Sequence, residues 1–130
     1  MTWKRVLAIA GLVAVAVMAG AVSYTHQYEL AAHTGQSELL ARGYPATIDG
    51  LIAACGGMVA MDRAAGWQPR LWAVTGFWLG FAASAAANWL ATPGGVIAHL
   101  VSAFPAIAFL WSFEALTGRP TKRLKALPQV

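Results

Sequence analysis

The sequence predicts an all-α fold: an integral membrane four-helix bundle with short hairpin connections. Three observations predict it. The 130 residues are 58% hydrophobic and only 11% charged, against about 45–50% and about 25% in ordinary soluble domains. The apolar residues collect into four stretches near the ~20 residues needed to cross a bilayer. The links between the last three stretches are short, which forces neighbouring helices antiparallel. Ala and Leu dominate and period-2 alternation is missing, so strands are not expected.

The first helix is expected at about 3–24. Lys4 and Arg5 precede 17 apolar residues, Val6 to Val22. That run is longer than a signal-peptide core of roughly 7–15, so it reads as an uncleaved signal-anchor. Residues 25–44 are expected to form an outer loop with local structure. The first helix continues into it through Tyr28, Glu29, Leu30 and Ala32, with Gly35 as its C-cap. Ser37 then caps a short piece holding Glu38, Leu39, Leu40 and Arg42, which suits a membrane surface. Gly43 stops that piece, and Pro45 opens the second span at its first helical position.

The second span, about 45–64, is the weakest by composition because it carries Asp49. Cys55 has no second cysteine to pair with and reads as a small buried hydrophobe. The third span, about 71–91, contains no charge. Gly76, Gly80, Ser84 and Asn88 repeat every four residues along it, a small-residue face for close helix packing. Gly50 belongs to a similar face on the second span. Phe77, Trp78 and Phe81 are then expected to look toward lipid or a neighbouring subunit. The fourth span, about 95–116, carries His99 and Glu114 and has Pro105 in its middle. Residues 1–118 thus form the membrane domain, and 119–130 a basic cytoplasmic tail.

Orientation follows from the basic residues. Lys4, Arg5, Arg63, Arg70, Arg119, Lys122, Arg123 and Lys125 fall on one side and Arg42 alone on the other. The positive-inside rule puts both termini in the cytoplasm of a multi-pass cell-membrane protein. Trp3, Trp67, Trp72 and Trp111 then lie near the inner boundary, and Tyr24, Tyr28, Tyr44 and Trp89 near the outer one. At the inner edge, Asp62 with Arg63 and Glu114 with Arg119 are the expected ion pairs. The formal charge of +4 is a topology signal, and direct nucleic-acid binding is not expected.

Polar groups inside a bilayer are costly, about 2.5–3.5 kcal/mol for a central Asp on insertion scales. Counting ~1.5 Å per residue, Tyr24, His26, Asp49, Asn88 and His99 fall in one outer layer. They are the candidate ligand or partner residues; the alternatives are structural glue, a site for a proton, cation or ligand, and a partner-helix interface. No metal-ligand spacing, nucleophile elbow or phosphate loop is present. No enzyme, metal or cofactor is therefore expected.

Ser23-Tyr24-x-His26, His33-x-Gly35-Gln36 and Pro45-x-x-x-Asp49-Gly50, followed by Asp62, Asn88, Pro105 and Glu114, resemble a family of small actinobacterial membrane proteins catalogued as a domain of unknown function. The order is similar to that of the plasmid spread (Spd) proteins, across about residues 6–117. That resemblance implies four membrane helices and a non-enzymatic accessory role in a mobile genetic element, in plasmid transfer and spread during conjugation. It implies partners in the bilayer: further copies of the chain, or a membrane or DNA-translocase partner. It supplies no catalytic residue. The competing expectation is a small transporter or channel subunit built on Asp49, Asn88 and His99.

Overall fold

The structure is a computed structural model that describes residues 2–118. It contains α1 (Trp3–His33), α2 (Glu38–Ala64), α3 (Leu71–Ala91) and α4 (Val96–Thr117), and no strand among the described residues. α1, α2 and α4 are long and apolar enough to cross a membrane. The third expected span, α3, is not among them. It has 21 residues and no charge, but its Gly, Ser, Asn and Trp residues dilute its hydropathy. The basic tail expected at 119–130 lies outside the described residues.

The first two helices are longer than the spans read from the sequence. α1 has 31 residues, about 46 Å at 1.5 Å per residue. Thr34 and Gly35 end it, and Gly35 takes a φ of 79°, where glycine meets no Cβ penalty. Ser37 then caps α2, its hydroxyl accepting from Leu40 N–H at 3.5 Å. The expected outer loop 25–44 is therefore almost wholly helical, with only residues 34–37 as the link. The short surface helix and the second span are one rod. Gly43 does not stop it, and Pro45 sits inside it rather than at its start. Packing accounts for this: Pro45 and Ala41 are both fully buried. That burial offsets the hydrogen bond to the Ala41 carbonyl that Pro45 cannot donate.

The helices run up and down. Arg63 near the end of α2 reaches Glu114 near the end of α4. Ser23 in the second half of α1 reaches Ser84 and Asn88 in the second half of α3. Both ends of the described chain and the 65–70 link therefore share one end of the molecule. Contacts are richest between α2 and α3 and between α1 and α4, whereas α2 and α4 scarcely touch. α1 and α3 thus approach along the short diagonal.

The core is small. Ile48, Ile52, Cys55 and Phe77 form its centre, with Phe109, Leu110 and Phe113 of α4 against it. Phe77 stacks on Phe113 at 4.6 Å between ring centroids. Phe77 is thus interior, not turned toward lipid; Trp78, at 47% exposure, is the outward member of that group. A Cβ on Gly56 would meet the Phe77 and Phe113 rings at 3.1–3.2 Å, so the glycine lets those rings stack against α2.

Outside this core the surface is apolar. Leu7 is 62% exposed, Ile97 79% and Trp111 76%. An apolar surface of this extent is characteristic of proteins that meet a membrane or a partner.

Candidate functional site: a polar seam between α1 and α3

Every fourth residue of α1 from Ala19 is buried: Ala19, Ser23, Gln27 and Ala31. On α3 the stripe of Gly76, Gly80, Ser84 and Asn88 divides its work. Its first half receives α2: a Cβ on Gly76 would stand 2.5 Å from Cys55 Sγ, and one on Gly80 2.8 Å from Ile52 Cγ1. Its second half faces α1, where Ser84 and Asn88 meet Ser23 and Gln27. Gly50 has open space around it and makes no such contact, so the small face proposed around it on α2 is not a packing surface at that position.

Five side chains make the seam. The Ser23 and Ser84 hydroxyl oxygens are 2.7 Å apart, and Ser23 donates to Asn88 Oδ1 at 3.2 Å. The Gln27 amide stands among them. Its Nε2 lies 2.9 Å from Ser23 Oγ, 3.2 Å from Ser84 Oγ and 3.4 Å from Asp49 Oδ1. Gln27 and Asn88 are fully buried. One acceptor, Gln27 Oε1, and one donor, Asn88 Nδ2, have no protein partner.

Beside the seam lies a cavity of about 200 Å³ to which all four helices contribute. Ser23, Asp49 and Ser84 give it one polar wall; Ile52, Phe81, Pro105 and Phe109 are among its apolar walls. Ala53, also on its lining, is surface-exposed. Asp49 is half-buried and makes no ion pair among the described residues.

The candidate layer read from the sequence thus separates. Asp49 and Asn88 enter one network, joined through Ser23 and Gln27. Tyr24 lies outside it, its hydroxyl donating to the Arg42 carbonyl at 3.3 Å. His26 is half-buried, and its Nδ1 has no hydrogen-bond partner. His99 stacks on Trp89 at 4.6 Å, and its Nδ1 is 3.0 Å from the Trp89 carbonyl. A carbonyl only accepts, so Nδ1 carries the hydrogen. His99 thereby gives a second donor to a carbonyl in the last turn of α3, which also accepts from the Thr92 N–H at 3.4 Å.

At the terminal end the ion pairs differ from the expected ones. Asp62 is 3% exposed and accepts from Arg70 N–H at 3.1 Å, with Arg70 Nε 3.8 Å away. Arg70 is the N-cap of α3 and its own side chain does not cap the helix. The Asp62 carboxylate therefore supplies negative charge where the α3 dipole favours it. Arg63 is thereby released to pair with Glu114 through both carboxylate oxygens, and it also reaches Thr117 Oγ1 at 3.1 Å. Arg119, the expected partner of Glu114, lies outside the described residues.

Gln27 and the role of Ser23 were missed from the sequence, although the four-residue rhythm of α1 carried a signal. Ser84 was assigned to packing alone, yet it also bonds. Among the described residues no group of three or more His, Cys, Asp or Glu is placed to hold a metal ion.

Four packed helices, three of membrane-crossing length and hydropathy, enclose a seam of neutral hydrogen-bonding groups and one carboxylate. Residues 6–127 match the family described as "Protein of unknown function (DUF2637)", and the chain belongs to that family. No curated protein and no solved structure matches the chain significantly.

Proposed function

We propose that the chain is a multi-pass cell-membrane protein, with all four helices spanning and both termini cytoplasmic. In this reading it is a non-enzymatic accessory component of a mobile genetic element. It acts in plasmid transfer and spread by self-association or by binding a membrane or DNA-translocase partner. The observation that carries the membrane placement is the exposed apolar surface, combined, among the described residues, with Lys4, Arg5, Arg63 and Arg70 toward one end and Arg42 toward the other. The accessory role draws on the resemblance to actinobacterial spread proteins. A contact surface for a partner is available where α1 and α2 extend past the α3–α4 link: Leu39 is 80% exposed there and Leu40 60%.

The test is deletion of the gene in its host, with plasmid spread between mycelial compartments as the readout, alongside crosslinking in intact membranes. Reduced spread and a specific crosslinked partner or homo-oligomer support the proposal. Normal spread with only monomer and lipid recovered removes it. A second reading, a small transporter or channel subunit, is favoured by one observation: Asp49 on the wall of a cavity. It requires Asp49→Asn to change proton or cation flux in liposomes, and unchanged flux eliminates it.

A further inference from the structure

We propose that the cavity between the four helices is a binding site for a small organic amine, its ammonium group held by Asp49 and its apolar body by the Ile52, Phe81 and Phe109 side chains. The site stands on the cavity and not on a role in plasmid spread, so either idea can fail alone. The first argument is charge. Asp49 lines the cavity, and among the described residues its one side-chain hydrogen bond comes from the neutral Gln27 amide at a long 3.4 Å. No Lys, Arg or His among the described residues forms an ion pair with it. A half-buried carboxylate is favoured by a cationic, hydrogen-bonding partner.

The second argument is shape and polarity. The cavity of about 200 Å³ exceeds the roughly 150 Å³ apolar cavity that accommodates benzene. Its polar groups converge on one side, where the Ser23 and Ser84 hydroxyls flank Asp49, and the rest of the wall is hydrocarbon and aromatic. The Asp49 carboxylate is the charged acceptor for an ammonium group, and Ser84 Oγ keeps a lone pair to add, whereas Ser23 Oγ is fully used by Ser84, Asn88 and Gln27. A hydrated inorganic cation would leave its water against Phe81, Phe109 and Pro105. Two aromatic rings on the wall add attraction for a cation nearby.

The third argument is the surrounding support. Gln27 is fully buried and bonded to Ser23, Ser84 and Asp49 at once. It orients all three polar wall residues without occupying the cavity.

The experiment is calorimetric titration of the full chain in detergent micelles, with a micelle blank, using benzylamine and its neutral counterpart benzyl alcohol. Saturable one-to-one binding of benzylamine, at least tenfold tighter than the alcohol, is expected from a charge-assisted contact. Asp49→Asn should bring the two affinities together, and Ala106→Leu, which fills the cavity, should weaken both. Equal affinities in the wild-type chain overturn the proposal without reference to any variant. So does an absence of saturable binding, an unchanged benzylamine affinity in either variant, or displacement of benzylamine by equimolar sodium chloride.

Discussion

Gln27 is the side chain on which the seam depends. It touches three elements through one amide group: Ser23 on its own helix, Ser84 on α3 and Asp49 on α2. Replacing it with leucine removes the only side-chain donor to Asp49 among the described residues and leaves two hydroxyls to rearrange. Gln27→Leu should cost about 2 kcal/mol in detergent unfolding, toward the upper end for hydrogen bonds between membrane helices. Asn88→Leu removes a single acceptor, Oδ1, together with a donor that has no protein partner, and should cost about 1 kcal/mol or less. Equal losses for the two would contradict the central place given to Gln27. The sequence revealed Asp49 and Asn88 because each is conspicuous in an apolar run. It concealed Gln27 because that residue lies in what reads as a polar outer loop. Only the extension of α1 to His33 turns that loop into a helix face, and only the approach of α3 buries it.

Two glycines separate packing from mere composition at the scale of the helices. Gly80 stands where a Cβ would press on Ile52, and Gly50 stands in open space. Gly80→Ala should therefore destabilise by about 1–3 kcal/mol through overpacking. Gly50→Ala should be neutral or stabilising by up to about 1 kcal/mol, because alanine restricts the unfolded chain and favours helix. Unfolding titrations in detergent distinguish these opposite signs. A third change tests how α2 hands over to α3. Asp62→Ala removes the buried carboxylate that caps α3 through Arg70 N–H and should cost about 1–2 kcal/mol through the lost cap and its favourable charge at the helix start. Arg63→Ala should cost less, about 0–1 kcal/mol, because its partner Glu114 is exposed. The stripe on α3 was legible from spacing alone. Its division between two neighbours was not, because spacing defines a face and not what lies on it. The uninterrupted run of α2 was concealed for a related reason: Gly43 and Pro45 are local stop signals, and tertiary burial of Ala41 and Pro45 overrides them.

For the molecule as a whole, composition anticipated the four helices and the absence of strands among the described residues. The sequence ranked the spans differently from the structure: α2 meets the criteria for crossing despite Asp49, and α3 does not despite having no charge. In the proposed arrangement α3 crosses because three neighbours cover it: Gly76 and Gly80 meet α2, Ser84 and Asn88 meet α1, and Phe77 meets Phe113 of α4. A helix surrounded in this way requires less apolar surface than one facing lipid, since Ser84 and the Asn88 carbonyl oxygen are bonded within the protein. The central claim is therefore a four-span topology with both termini inside, and α3 is where it is most open to contradiction. Cysteine accessibility in intact cells tests it directly, in a Cys55→Ala background with a membrane-impermeant maleimide. Gln36→Cys and Gly94→Cys should label from outside, whereas Thr2→Cys and Gly66→Cys should label only after permeabilisation. Labelling of Gly66→Cys and Gly94→Cys from the same side would show that α3 does not cross, and would contradict the account.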